Sequence, residues 1–262
     1  NGGEEEWVNP VQLGLVSVSS SDGRTLPYGK LEDVLSRDRE PRNCHTKDRT
    51  NSCFTLDLGV NLIPTAYTLR HARGYGKSGL RTWQLQASKD GVQWTVLRDH
   101  QKDESLVDPG STHTWTIEAP DEEEEGWRHV RIIQMGPNGT NRNFLSISGF
   151  ELYGKVTGVF TDKPGRMMME AEAAARQEAR MNVHRMVIGS RVVRGFDWKW
   201  NNQDGGEGNA GIVQGDIVDG WVDVKWDHGD SNRYRMGAQD SYDLKLVEGG
   251  GVSEVAMLDT GG

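Results

Sequence analysis

The stretch YTLRHARGYGKSGLRTWQLQASKDGVQWTVL, residues 67–97, decides how this chain is read. Within it, GYGKSG at residues 74–79 fits the spacing G-x-G-x-x-G, and its GKS resembles the end of a phosphate-binding loop. A phosphate cradle needs a strand before the glycines and a helix after them, because the helix N-terminus supplies the aligned amide donors. Both flanks instead alternate as strands do: AYTLRHA before the loop, and LRTWQLQAS after it with no helical period. A Walker loop would also place glycine at position 71, where His71 stands. The loop therefore joins two strands, and no nucleotide site follows from it. GEGNAG, from Gly206 to Gly211, fails the same test because IVQGDI after it reads as strand.

The rest of the composition agrees with a β reading. A chain of 262 residues makes one or two domains, either able to bury a core. Its 33 glycines and nine tryptophans, with few regular helical stretches, favour strands and many turns. A net charge of −9 argues against a general nucleic-acid binder, which needs a basic face. No apolar run reaches the length of a membrane span, and no signal peptide is visible. The chain begins at Asn1 without Met and reads as an excised fragment. Its two cysteines, Cys44 and Cys53, flank the polar stretch HTKDRTNS. A disulfide is geometrically open to them, yet two thiols in so long a chain favour reduced cysteines in an intracellular protein. Asn138-Gly139-Thr140 is a glycosylation sequon, which matters only in a secreted chain.

Three regions separate along the chain. From residue 11 to about 153 the pattern is strand, turn, strand: FTLDLG puts Phe54, Leu56 and Leu58 on one face, and SKDG reads as a hairpin turn between TWQLQAS and VQWTVL. HVRIIQM and FELYG supply later strands, KLEDVLSRD one short helix, and DEEEE at residues 121–125 a solvated loop. MMMEAEAAARQEARMNVHR, residues 167–185, lacks Gly and Pro and reads as a helix. Met168, Ala171, Ala175 and Ala179 would form its apolar stripe, which favours a linker or docked helix over a coiled coil too short to stand alone. From residue 190 the chain returns to short strands. In WVDVKWDHGD, Val222, Val224 and Trp226 alternate with Trp221, Asp223 and Lys225 before a DHGD turn, the pattern of a small twisted barrel with Trp226 in its core.

Catalytic chemistry has little support. No histidines are paired at metal-ligand spacing, and the adjacent Cys44 and His45 would need an activating environment that only the fold could supply. DWKWNNQDGGEG fails as a calcium loop: counted from Asp197, its third, sixth and twelfth positions are Lys199, Asn202 and Gly208. Neither a cofactor nor a metal is called for.

Resemblance sharpens this reading. CFTLDLG, the stretch from Tyr67 to Leu97 and the closing SISGFELYG resemble the discoidin or galactose-binding-like jelly rolls in their SUN-like version, whose loops at one end of the sandwich present the ligand site. RVVRGFDWKWNNQDGGEGNAGIV and VDVKWDHGDSNRYRMGAQDSYDLKLV look like a MIB (Mind bomb/HERC-type) domain, an SH3-like barrel of ubiquitin ligases that binds protein partners. The two in series resemble the central region of a large HECT-type E3 ubiquitin ligase carrying ankyrin repeats. That resemblance implies a non-catalytic piece of such a ligase without its thioester cysteine. The KASH-peptide activity of nuclear-envelope SUN proteins is not carried over.

The expected architecture is mainly β: a jelly-roll sandwich at residues 11–156, a helical linker at 157–189 and a small SH3-like barrel at 190–248, with flexible ends at 1–10 and 249–262. In the first domain Arg70, His71, Arg73, Lys77 and Arg81 form the most basic run, with Tyr75 at its centre. They read either as a solvated loop or as a site for an acidic peptide, with Arg70 and Arg81 alternatively supporting strands. In the second, Trp198 and Trp200 share a parity and would lie beside Asp204, Tyr234 and Arg235, a groove for an extended or proline-containing peptide unless each Trp is simply core. Gly205, Gly206 and Gly208 read as turn residues. Expected partners are protein substrates or regulatory peptides of a ubiquitin ligase, in the cytoplasm with the nucleus left open, without membrane insertion. A secreted carbohydrate-binding module is the alternative.

Overall fold

The computed structural model describes residues 7–73, 77–118 and 124–247. They fall in two compact units, Asn1–Glu170 and Ala171–Gly262.

In the first unit one long strand organises everything else. Strand β2 (Cys53–His71) is 19 residues long and pairs through its first half with β1 (Ser17–Ser20) and β6 (Trp127–Gln134). Through its second half it pairs with β5 (Thr112–Thr116) and β7 (Ile147–Val159). Strands β3 (Trp83–Ser88) and β4 (Thr95–His100) extend the first layer, which runs β1-β2-β6-β3-β4. The register with β6 shifts between Asp57 and Leu62, and that irregularity is where β2 leaves one layer for the other. Phe54, Leu56, Leu85, Val130 and Ile132 face Tyr67, Leu69, Trp115, Ile147 and Phe150 in one buried core. The unit is a mainly β jelly-roll sandwich.

The local expectations hold with adjustments. Phe54 and Leu56 are buried, whereas Leu58 only packs at the margin of the core. In the SKDG turn, the Asp90 carboxylate accepts the amides of Val92 and Gln93, both at 2.8 Å. Only Leu31–Leu35 of KLEDVLSRD is helical, as a 3-10 turn. Gly74–Gly76 and most of the DEEEE loop lie outside the described residues, and β7 runs on to Val159.

A polar thread crosses this core. Trp83 Nε1 donates to the Tyr67 hydroxyl at 3.3 Å, that hydroxyl meets His100 Nε2 at 2.6 Å, and His100 Nδ1 meets Asp103 at 2.9 Å. Trp83 also stacks on His100 with ring centres 4.0 Å apart. Only one proton arrangement serves every member: the Asp103 carboxylate accepts from Nδ1, and Nε2 accepts from Tyr67.

Helix α1 (Pro164–Val183) starts three residues before the expected Met167, because Pro164 suits a first helical turn. Within the first unit, Arg166 at that turn donates its amide to the Gly14 carbonyl at 3.0 Å. In the second unit, Ala179 and Val183 pack on the local core, while Arg176 and Arg180 reach Asp240 and the Tyr242 hydroxyl. Of the expected stripe, Ala175 and Ala179 are half-buried and Met168 likewise, but Ala171 is exposed.

The second unit is a five-stranded antiparallel sheet in the order β11-β10-β9-β8-β12. Its strands are β8 (Arg191–Arg194), β9 (Gly211–Val213), β10 (Trp221–Trp226), β11 (Ser231–Arg235) and β12 (Leu244–Leu246). A bridge between Met236 and Tyr242 brings the residues beyond β11 to those before β12. Val222, Val224 and Trp226 point inward as their alternation requires.

The buried histidines make the first unit acid-sensitive. Burial lowers the pKa of His100, against the opposing pull of Asp103, and burial likewise lowers that of His71. The unfolded chain then binds protons first, so this stability is complete above about pH 6.5 and is lost as pH falls through and below that value. The thermal midpoint should drop between pH 7.5 and pH 5.5, and the drop should shrink in His100→Gln. A flat or rising midpoint in the parent chain would contradict this.

Candidate functional site

In the first unit the strand β2 alternates Tyr67, Leu69 and His71 inward, which turns Thr68 and Arg70 to the outer side. The Arg70 guanidinium is held by main-chain carbonyls: Ser148 at 2.7 and 3.0 Å, Asp38 at 2.7 Å and Ser36 at 3.3 Å. Burial lowers its pKa, although Asp38 and Glu151 act in the other direction. His71 is wholly buried, with Nδ1 3.3 Å from the Ser146 carbonyl, and supports the fold from within. Arg81 pairs with Glu104 at 2.8 Å. Arg73 and Lys77 are the exposed cations of the expected run, and Tyr75 lies outside the described residues.

Of the three glycines in GYGKSG, Gly79 lies among the described residues and has a packing cause. A Cβ on Gly79 would fall 1.6 Å from the Leu106 carbonyl oxygen, so position 79 must be glycine for two backbones to meet. Asn138 is buried too: its amide donates to the Phe144 carbonyl, while its oxygen accepts from Thr140 and the Arg142 amide. The sequon asparagine is thus an internal loop organiser. Cys44 and Cys53 are free thiols, and burial pushes the Cys44 pKa up to about 12, far from nucleophilic.

Sequence reasoning overlooked the segment 36–42. The Arg73 amide donates to the Arg42 carbonyl at 2.9 Å, and Arg37 pairs with Glu151 at 2.9 Å. Arg37, Arg39 and Arg42 therefore join Arg70 and Arg73 at one end of the unit. The basic letters in SRDREPR were the available signal.

In the second unit the five expected residues do converge, but in two layers. Trp198 stacks on Tyr234 at 5.1 Å between ring centres, and Trp226 Nε1 donates to the Tyr234 hydroxyl at 2.8 Å. Asp204, Tyr234 and Arg235 are buried. Arg235 grips Asp243 through Nε at 2.9 Å and Nη2 at 2.7 Å, and Trp200 Nε1 donates to the same carboxylate at 2.8 Å. Burial would by itself raise the Asp204 pKa, but Arg194 and the Gly206 amide outweigh it and the pKa is lowered. Trp198 and Trp200 stay half-exposed, with Arg194 over the first at 5.5 Å and Lys199 over the second at 5.0 Å. The exposed surface is a short aromatic and cationic strip fixed from beneath by buried pairs. Gly205, Gly206 and Gly208 adopt left-handed φ of +87°, +118° and +87°, as turn residues do.

Among the described residues, no three His, Cys, Asp or Glu side chains group as metal ligands, and no helix is long and apolar enough to cross a membrane.

The first unit is thus a mainly β sandwich and the second a small antiparallel sheet. Residues 25–156 match the family model for the Sad1 / UNC-like C-terminal domain, and residues 189–248 match that of Mib_herc2. The chain belongs to the Sad1 / UNC-like C-terminal family and carries a Mib_herc2 domain beside that region. It is 56% identical over 247 residues to the E3 ubiquitin-protein ligase Ufd4 of Drosophila melanogaster, covering 93% of this chain and 9% of that protein. It is 38% identical over 293 residues to the E3 ubiquitin-protein ligase hecd-1 of Caenorhabditis elegans, covering 92% of this chain and 11% of that protein. The chain thus spans about a tenth of these curated relatives. Among solved structures, CBM32-5 of GH89 from Clostridium perfringens, in complex with GalNAc-β-1,3-galactose, is similar at 18% identity with a TM-score of 0.44. That match covers 56% of this chain and 99% of the other, and at such a score it carries no inference about ligand.

The buried pair and an exposed one should respond differently to substitution. Removing one partner of a buried ion pair costs about 3–5 kcal/mol, whereas exposed pairs are worth about 0–1 kcal/mol. Asp243→Ala should therefore lower the stability of the second unit by about 3 kcal/mol or more, and Asp223→Ala, which breaks the exposed contact with Arg233, by less than about 1 kcal/mol. Urea unfolding followed through the amide signals of β10 and β11 separates the two.

Proposed function

We propose that this chain is a non-catalytic protein-recognition region of a HECT-type E3 ubiquitin-protein ligase, recruiting or positioning substrates or regulators. The observation that carries the reading is its near-complete alignment, at 56% identity, with an E3 ubiquitin-protein ligase of which it represents only 9%. So small a share fits a binding region better than a catalytic one, and the catalytic cysteine domain lies elsewhere in the parent ligase. In this reading residues 11–156 are the SUN-like jelly roll, residues 157–189 the helical linker and residues 190–248 the MIB domain, an SH3-like barrel. The parent acts inside the cell, in the cytoplasm.

Two surfaces are assigned to partners. In the first unit Arg73 and Lys77 make direct contacts, and Tyr75, which lies between them in sequence and outside the described residues, belongs to the same surface, while Arg70, His71 and Arg81 support it. In the second unit Trp198 and Trp200 offer flat faces to an extended peptide, and Asp204, Tyr234 and Arg235 support them from inside. A secreted carbohydrate-binding module gains nothing from the buried Asn138 amide or from the free Cys44 and Cys53.

Affinity enrichment from cytosolic extract, read by mass spectrometry, tests this. The parent chain should retain a defined set of proteins, and Arg73→Glu/Lys77→Glu or Trp198→Ala/Trp200→Ala, each shown to be folded by circular dichroism, should lose part of it. Equal retention by all three chains would discard the two surfaces. No retention above background by the parent would discard the recognition role.

A further inference from the structure

The outer side of the β5, β2 and β7 layer holds a groove of about 440 Å³, lined by Thr68, Thr112, Gly149, Arg37, Arg70 and Glu151 among others. Its cations are unevenly satisfied. Arg70 hydrogen-bonds to carbonyls and to the Ser148 hydroxyl, and no carboxylate among the described residues hydrogen-bonds to it. Its Nη1 uses one hydrogen on the Asp38 carbonyl, which leaves the second N–H uncommitted. Gly149 makes room for this side chain, since a Cβ there would stand 3.0 Å from Arg70 Cβ.

Arg37 is tied to one oxygen of Glu151, and the Tyr153 hydroxyl donates to the other; both partners of the ion pair are part-exposed, and pairs of that kind contribute little. A ligand carboxylate therefore meets small resistance in taking the place of Glu151. Beside this lining Arg42 pairs with Asp38, and the Arg73 amide donates to the Arg42 carbonyl. Arg39 and Arg73 have no ion-pair partner among the described residues.

We propose that this groove receives an aspartate or glutamate side chain from an extended segment of a partner protein. The incoming carboxylate displaces Glu151 from Arg37 and accepts the spare Nη1–H of Arg70, while neighbouring acidic residues of the segment lie along Arg39 and Arg73. Charge complementarity selects this occupant. The proposal rests on the protein-recognition reading above and names the chemistry that one surface would read.

Fluorescence anisotropy with labelled octaglutamate and octalysine peptides, on the full 262-residue chain, provides the test. Octaglutamate should bind and octalysine should not. Arg37→Ala and the charge-neutral Thr112→Tyr, which fills the groove mouth, should each weaken octaglutamate by about fivefold or more, a tenfold change in affinity being about 1.4 kcal/mol. Glu151→Gln should tighten it. Arg142→Ala, which removes the same charge from a well-exposed position elsewhere, is the control and should have little effect. If Arg37→Ala and Arg142→Ala behave alike and Thr112→Tyr changes nothing, the attraction is diffuse and the groove idle. Absence of octaglutamate binding also overturns the proposal. In either case the protein-recognition reading is judged separately, by whether the enriched proteins still depend on Arg73 and Lys77.

Discussion

The first unit depends on one strand belonging to two layers. Because β2 pairs with β6 at one end and with β7 at the other, the irregularity after Asp57 sets where the sandwich folds over. It also sets which side chains are available. Beyond it, Tyr67, Leu69 and His71 must fill the core, so Thr68 and Arg70 are left on the outside. A slip of one residue would exchange the two sets, burying a guanidinium and exposing a tyrosine. The groove and the core are therefore two sides of the same register.

Much of this was legible in the residue pattern because it is local. The alternation in FTLDLG and WVDVKW, the SKDG turn and the run of Ala, Glu and Arg in the helix each report a period that the backbone obeys. The segment 36–42 was not legible in that way. Arg70 reaches Ser36, Asp38 and Ser148 across separations of 34, 32 and 78 residues, and no period in the chain encodes such a contact. The rotation of the helix stripe has the same origin. Ala171 and Ala175 look equivalent along the sequence, and only what the helix packs against distinguishes them.

Residue type proved a better guide than exposure in the second unit. Trp198, Trp200, Asp204, Tyr234 and Arg235 were expected together and are together, yet three of them are buried. A charged residue inside a small sheet requires a partner, and Asp243 plays that part for Arg235. Its position, eight residues along and beyond the Met236 to Tyr242 bridge, follows from how the chain turns back beside β11. The tryptophans remain half-exposed because the network beneath them fixes their indole N–H groups, Trp198 on the Asn201 carbonyl and Trp200 on Asp243. Both rings also pack against the buried core, which holds them in place.

The two units thus use the same side chain in opposite ways. Arg235 is enclosed with a carboxylate that cancels its charge, and Trp200 and the Arg235 amide satisfy that carboxylate further. Such an arginine organises its surroundings and presents almost no field to solvent. Arg70 is held just as firmly, but by neutral carbonyls, which fix its position without neutralising it. A cation immobilised in this way has already lost its side-chain freedom and still carries its charge, so an incoming anion need not order it. The partner that fixes an arginine, more than its exposure, decides whether it serves the fold or remains available to a ligand.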